Sequence, residues 1–428
     1  MTQTDNHPAG GLGGAARAEG AHVPFVDHGP VSDWANDFDH ADPNYNPNAH
    51  QIWADLRSSG CPVAHSERYG GMWAPLTHEH VHEVAYDTDH FTSRGVIVSN
   101  TRPIIEAPVG PAPPITSDPP FHQIARRLLL PPFSPKAIDA WEGEIRKLCR
   151  NLIDEMGDIV AGESVVDAAV QYAQHIPVNV ISRMLGFPTT DDDLFRKFVH
   201  SVLENVNVSP EERIAAIQPL AEYLDAQIAD HEANPRDDLT SYLMNVEIEG
   251  NKLSPEHVRG SIVLLLVAGI DTTWSGIGSS LWHLATNPAD LERLVAEPEL
   301  MPFAIEEFLR AYAPVTMARL VKEDHDFHGC PMKANEWVLL PFPAANRDPA
   351  VFDDADEVII DRAENRHAAF GLGIHRCLGS NLARLELRVA IEEFIARFPG
   401  FELAGDTRWS IGQVRGPRQL PVRITRTA

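Results

Sequence analysis

Apolar residues recur every three to four positions over residues 134–156, 165–185, 191–206, 210–231 and 237–245. That spacing predicts helices with one buried face. The longest such run covers 255–286, with Ser254 placed to cap its N-terminus and Pro255 in its first turn. Asn287-Pro288 closes it, because proline disfavours helix at the residue before it. Two further helices are predicted over 302–312 and 378–398. Strand signals are fewer. Residues 70–76 read as a strand after a glycine turn, 77–87 as a short helix carrying His78, Val81, Val84 and Ala85, and 337–340 as a strand. Residues 95–120 are rich in Pro, Val and Ile without a period, and a loop of that length in a compact domain is usually functional. The expected class is mainly α with a small β part. Residues 1–29 are dominated by small and polar residues and read as a disordered arm. From 30 to 428 no repeat or low-complexity break appears, which favours a single domain.

Composition narrows the function. With 35 Lys and Arg against 61 Asp and Glu, the 428-residue chain carries a formal charge of −26. A nucleic-acid binder needs a basic footprint, so that class is set aside. The four cysteines, Cys61, Cys149, Cys330 and Cys377, are scattered and form no CxxC pair. That argues against a zinc site, a redox dithiol or a secreted disulfide framework. Residues 1–20 lack an apolar secretory core, and the strongest apolar stretch, 261–270, is about half of a bilayer span. The expectation is a cytoplasmic protein without a membrane anchor.

The densest chemistry lies at Phe370-Gly371-Leu372-Gly373-Ile374-His375-Arg376-Cys377-Leu378-Gly379, just before a helix. Glycines let a backbone turn tightly and approach a flat group closely. A cysteine at a helix N-terminus sits in the positive end of the dipole, which favours the thiolate, a metal ligand. A buried structural cysteine beside a turn explains a lone Gly-x-Gly equally well. Three other places stand out. Asp271 and Thr272, in Ala268-Gly269-Ile270-Asp271-Thr272-Thr273, fall within the apolar helix, where an aspartate is costly unless paired, hydrated or functional. The adjacent threonines and glycine can loosen the helical ladder into a bulge with room for water; a capped kink is the plain alternative. Glu307 and Arg310 share a helix face and alone read as an ordinary ion pair. His122 and Arg126 share another, in a chain that also offers Arg319.

Together these segments resemble the cytochrome P-450 family, from about residue 34 to 424. The cysteine stretch matches the haem-binding signature Phe-Gly-x-Gly-x-His-x-Cys-x-Gly at every fixed position. The resemblance implies a triangular, mostly helical fold with a long helix over haem b, and Cys377 as the iron ligand, whose electron density favours O–O cleavage. Phe370, Gly371 and Gly379 would shape the loop, and Ala268 and Gly269 would lie against the haem, Gly269 leaving space over the iron. His122, Arg126, Arg319 and His375 would meet the propionates. Asp271 and Thr272 match the acid–alcohol pair that relays protons to O2. Glu307 and Arg310 match the Glu-x-x-Arg lock, with Arg362 as its third member. Ile360 stands where the family often has Phe, and Phe121 where many relatives have Glu.

The implied activity is monooxygenation: O2-dependent hydroxylation or oxidative dealkylation of a small hydrophobic substrate. Val96, Ile97, Leu264, Val315, Thr316 and Val414, with the neighbouring loop and turns, are the candidate pocket. The segment 274–278 resembles relatives that oxidise aromatic ethers or thiocarbamates. No flavin or nicotinamide fingerprint appears, so electrons are expected from a separate ferredoxin or flavodoxin and its reductase, docking near Arg376, Arg384 and Arg388. A peroxide-driven peroxygenase and a non-catalytic haem-binding protein are the alternatives; the intact Asp271-Thr272 pair disfavours both.

Overall fold

The computed structural model describes residues 28–60, 62–100, 111–160, 165–204, 210–248 and 250–427. The expected N-terminal arm lies outside these except for its last two residues, as do Cys61 and residues 101–110 of the long loop.

The predicted central helix runs Pro255–Thr286. Ser254 Oγ accepts from the His257 amide at 3.2 Å, and Asn287 ends the helix at the proline. It is long and apolar enough to cross a membrane, yet protein surrounds most of its length. Helices His175–Leu185, Asp192–Leu203 and Ser380–Arg397 pack against it, and their side chains merge into one large core. Gly276 meets Leu387 and Gly278 meets Pro417, while Gly416 lies so close that a Cβ there would sit 2.3 Å from Ser275. Small residues thus let the C-terminal segment close onto the helix. Helices Pro210–Ala233, Leu239–Asn245 and Met301–Ala311 also answer the predicted pattern.

Two predicted helices are corrected. The run 134–156 divides into Pro135–Asp139 and Glu142–Val160. The run 165–185 opens as a strand, Val165–Asp167, which pairs antiparallel with Pro421–Arg426. Asp167 then accepts from the Ala169 and Val170 amides and starts a π-turn, Ala169–Ala173, ahead of His175–Leu185. The strand partner lies some 250 residues away in sequence, so local periodicity could not report it. Helices Tyr45–Ser58 and Pro288–Ala296 were not predicted.

The β part centres on a five-stranded sheet in the order Val63–Ser66, Met72–Pro75, Trp337–Pro341, Thr316–Val321, Phe91–Thr92. Trp337–Pro341 is buried along its whole length, as its continuous apolar run requires, and pairs residue for residue with Thr316–Leu320. This register fixes Arg319 opposite Val338. Apolar clusters cover both faces, one around Phe38, Tyr45 and Trp53, the other around Val81, Phe91 and Phe327.

Candidate active site around Cys377

The cysteine loop is held by its own backbone. Gly371 and Gly373 have φ of +72° and +68°, a left-handed conformation costly to any other residue. The Gly371 amide donates to Ala368 O at 2.8 Å and the Cys377 amide to Phe370 O at 2.7 Å. A Cβ on Gly373 would lie 2.3 Å from the carbonyl oxygen of Ala85, so protein backbone, not a flat cofactor, demands that glycine. Gly379 keeps the nearest space clear: a Cβ there would come no closer than 4.0 Å to Cys377 Sγ. Cys377 is exposed as a residue, while surrounding protein crowds its thiol. Burial pushes its thiol up, opposed by the Gly379 amide and by Arg126, Arg376 and Arg384. A coordinated metal ion reverses that balance by deprotonating the thiol outright.

Two arginines and two imidazoles gather nearby. Helix Phe121–Leu129 carries His122 and Arg126 four residues apart, and Arg126 donates to Arg376 O at 2.5 Å. The His122 ring meets His375 edge-on, centroids 4.3 Å apart, and His375 Nε2 contacts Ser93 Oγ at 2.8 Å. Arg319 is buried, with a bond to its neighbour's carbonyl, Ala318 O, at 2.8 Å. Burial, then mutual repulsion, drives His375 down to about 2 and His122 to about 4; burial, partly offset by Asp118, takes Arg319 to about 10. Asp118, the acidic residue acting on this group, already accepts from Thr92 and from the Ser93 amide. Both ring nitrogens of His122 are buried without a partner. Such a donor set fits an anionic group such as a pair of carboxylates. With exposed Cys377 close by, the residues present fit a haem with its propionates.

On the central helix, Ala268 is exposed, and Leu264 and Thr272, four residues to either side, are half-buried. Spaced by four, they form one stripe. Gly269 is turned away: a Cβ there would touch Ile181 at 3.4 Å. The expectation that Gly269 opens space over the iron is therefore corrected. It lets helix His175–Leu185 approach, and Ala268 lies on the open stripe. The expected bulge is also absent, since the helix is continuous through 268–273 and Thr272 Oγ1 donates back to Ala268 O at 2.8 Å.

Asp271 is buried and belongs to a chain of charges that the sequence reading missed. Arg418 Nη2 lies 2.7 Å from Asp271 Oδ1, off the direction of its N–H bonds, so the two pair as charges. Arg418 also donates to Glu204 at 2.6 Å and Ser275 Oγ at 3.2 Å, and stacks on Trp274 at 4.3 Å. Glu204 in turn meets His200, whose side chain is 57% exposed. One guanidinium thus serves two carboxylates. Burial raises Glu204, but His200 and Arg418 outweigh it and hold Glu204 below the usual range. Burial and Glu204's charge outweigh Arg418 at Asp271, whose carboxyl is raised. Asp271 Oδ2 is buried with no partner. Arg418 lies outside every recognised motif, between Arg415 and Arg423, and nothing beside it in sequence marks its role.

The Glu307–Arg310 pair is a buried lock, not a surface ion pair. Both side chains are 0% exposed. Glu307 accepts from Arg310 Nε and Nη2 at 2.8 Å each, the Ile359 amide at 2.8 Å, Arg362 Nε at 3.1 Å and Asn365 at 3.0 Å. Arg362 is thus in contact as expected; Asn365 was missed. The lock reaches the cysteine loop through Asn346, whose carbonyl accepts from Arg310 and whose side chain accepts from the Ala368 amide at 2.6 Å. Next to it, Glu306 binds Arg384 through two bonds and also meets His367, and Arg384 stacks on Phe370 at 4.4 Å. Arg388 is engaged by Glu142 and Glu392. Of the three arginines expected to greet a redox partner, two are therefore paired internally, while Arg376 is exposed.

Among the candidate pocket residues, Val315 bridges Val414, and Gln413 ties the segment together: its side chain bonds Val96 O, the Val98 amide and Thr316 O. Ile97 packs on the large core. Thr316 and Val414 are both buried, and the Thr316 hydroxyl meets Tyr45. The segment 274–278 packs on Arg418, Leu387 and Pro417.

Comparison with known proteins gives the family. The family model described as cytochrome P450 matches residues 74–410. The chain is 35% identical over 316 residues to mycinamicin IV hydroxylase/epoxidase of Micromonospora griseorubida, covering 72% of this chain and 79% of that protein. It is 34% identical over 371 residues to steroid C26-monooxygenase of Mycolicibacterium smegmatis, covering 84% and 89%. The crystal structure of CYP109E1 from Bacillus megaterium in complex with testosterone superposes with a TM-score of 0.80 at 30% identity, over 90% of this chain and all of that one. The cysteine loop, the Glu307 lock, the helical architecture and these matches converge: the chain belongs to the cytochrome P450 family of bacterial haem-iron monooxygenases.

Proposed function

We propose that residues 30–428 act as one haem-thiolate monooxygenase unit, in which Cys377 would hold the iron of haem b. The observation that carries this reading is exposed Cys377 beside two arginines, Arg126 and Arg319, and the unpartnered imidazole of His122, a donor set faced among the described residues by the carboxylate of Asp118. Bound there, the haem iron supplies dioxygen binding and activation. His122, Arg126, Arg319 and His375 hold the propionates, and the Arg126 bond to Arg376 O stiffens the turn that aims the sulfur. Phe370, Gly371 and Gly379 keep the loop low and its approach open.

Asp271 is the proton-holding group. Its raised carboxyl retains a proton more readily than an ordinary aspartate, which suits a general acid. Its unpartnered Oδ2 delivers that proton through water toward the Thr272 hydroxyl. Arg418 and Glu204 set the charge around Asp271, and exposed His200 opens the chain to solvent. The apolar stripe at Leu264 and Ala268, with Val96 and Val315, favours a hydrophobic substrate that is hydroxylated or oxidatively dealkylated. A relative named for a steroid supports that chemical class and a pocket larger than one aromatic ring. Electrons come from a separate ferredoxin or flavodoxin in the cytoplasm, docking near Arg376.

The test is Cys377→Ser. Reduced wild-type protein under carbon monoxide should show the red-shifted Soret band of thiolate ligation, and the variant should lose it. A variant that keeps the band refutes the assignment. Turnover with peroxide alone, as fast as with a reconstituted electron donor, would replace the O2-dependent reading.

A further inference from the structure

The geometry points to a second metal site, for a borderline divalent cation such as Zn2+, built from Asp87, His90 and His325 at the edge of the five-stranded sheet. None of the three takes part in the haem-site reading, and the inference does not depend on it. Each offers one donor atom, and the three donors lie within 4.8 Å of one another. All three are half-buried, so the position is sheltered but reachable.

The backbone holds these residues from two directions. Asp87 ends helix His78–Tyr86, and its Oδ1 accepts from the Asp89 and His90 amides at 3.0 and 2.9 Å. That turn leaves Oδ2 facing His90 Nδ1 at 2.6 Å. His90 precedes the edge strand Phe91–Thr92, and its carbonyl accepts from the Lys322 amide at 2.8 Å. His325 arrives on the hairpin strand His325–Phe327, and its ring stacks on His90 with centroids 4.0 Å apart and planes inclined by 22°. Two imidazoles and one carboxylate, contributed by separate elements, thus converge. Lys322 Nζ is a nearby cation, but it is directed to Thr88 O.

The donor chemistry selects the ion. Two imidazole nitrogens and one carboxylate suit Zn2+, Ni2+, Co2+ or Cu2+, whereas Mg2+ and Ca2+ prefer all-oxygen shells. Zinc takes such ligands at about 2.0–2.2 Å, which sets donors about 3.4 Å apart, so Asp87 Oδ2 and His90 Nδ1 part by about 1 Å to admit the ion while the more distant donor closes in by up to about 1.4 Å, movements open to half-exposed side chains. Water completes the shell. The ion takes the place of the proton that His90 shares with Asp87, and it clips the hairpin onto the strand leading to Ser93, the partner of His375.

The experiment is a Zn2+ titration of tag-free, haem-loaded protein against a chromophoric zinc indicator, with Mg2+ as the control competitor. One zinc per chain is expected, unaffected by excess Mg2+. His325→Ala and Asp87→Asn should each weaken binding at least about tenfold while the Soret band and haem content stay at the wild-type level. Two results overturn the proposal: wild-type protein that binds zinc no better than a His90→Ala/His325→Ala variant, or Mg2+ that competes equally. The first would show that surface imidazoles elsewhere, such as His82 or His328, account for any binding. Should one variant lose its haem, the other still decides the matter.

Discussion

Glu307→Ala removes the acceptor at the centre of five hydrogen bonds. Arg310 is then left fully buried with three carbonyl partners, Asn346 O, Ala355 O and Glu357 O, but no counter-charge. Arg362 keeps the carbonyls of Asp353 and Asp354, while the Ile359 amide loses its acceptor. Breaking a buried pair by removing one partner costs about 3–5 kcal/mol, mostly the penalty of the charge left behind. Domains have total stabilities of about 5–15 kcal/mol, so the loss should be visible as poor haem retention and a low denaturation midpoint. Glu307→Gln keeps one acceptor oxygen but turns an amide N–H2 toward the guanidinium, and should fall between. The Glu307→Ala/Arg310→Ala variant should lose less than the sum of the single variants, because it leaves no orphaned Arg310. Urea titrations monitored by far-UV circular dichroism and by the Soret band provide the readout. Acidification gives an independent check. Burial raises the Glu307 carboxyl, but bonds from Arg310 and Ile359 and the charges of both arginines hold it below its ordinary value of 4.5. The stabilisation is therefore complete above pH 4.5 and is lost as pH falls through the depressed value. Wild-type and Glu307→Ala stabilities should converge in acid. A haem-loaded Glu307→Ala protein within about 1 kcal/mol of wild type at pH 7 would refute the lock, since that is the scale of a surface pair.

Thr272→Ala should divert reducing equivalents from product to peroxide and water, and Thr272→Ser should restore coupling; unchanged coupling, measured as product per reductant consumed, removes the hydroxyl from proton delivery. Arg418→Gln withdraws the charge that lowers Asp271, so Asp271 should keep its proton to higher pH and the alkaline limb of the product-formation profile should move upward. An unmoved profile in a folded, haem-loaded variant would confine Arg418 to packing. Gly373→Ala places a Cβ against the Ala85 carbonyl at a φ of +68° and should cost at least about 2 kcal/mol, with reduced haem content.

Much of the helical frame was legible because its signals are local. The cap at Ser254, the proline at 255 and the stop at Asn287-Pro288 bound the central helix to the residue. Long-range pairing was not legible. Val165 and Val166 satisfy a helical period as well as a strand's, and only their partners near Pro421–Val422 decide for the strand. The site divides in the same way. Cys377, Glu307 and Arg310 stand in dense motifs, so their positions could be read from neighbours in sequence. Arg418, Glu204 and Asn365 reach their partners Asp271, Arg418 and Glu307 across 147, 214 and 58 residues, and nothing beside them marks the destination. Gly269 shows a subtler limit. Its motif was legible, but one position along a helix is 100° of rotation, and that turns it from the open stripe toward Ile181.

The same contrast explains why the fold is easier to read than the substrate. Around Cys377 the loop's turns, the lock and Arg384 are fixed by hydrogen bonds whose partners lie inside the protein. Each demands a particular residue type, so the sequence is constrained there. The pocket wall is constrained differently. Gln413 joins the 96–98 segment, Thr316 and the late turn through their backbone atoms, not their side chains. Backbone bonds hold the wall in place whatever side chains it presents, so half-buried Val96 and Val315 are free to vary with the substrate. Substitution at Gln413 should therefore disturb binding of every substrate together, whereas substitution at Val96 or Val315 should change preference among them. That division places specificity on side chains the scaffold does not need, and those are the residues least predictable from folding physics.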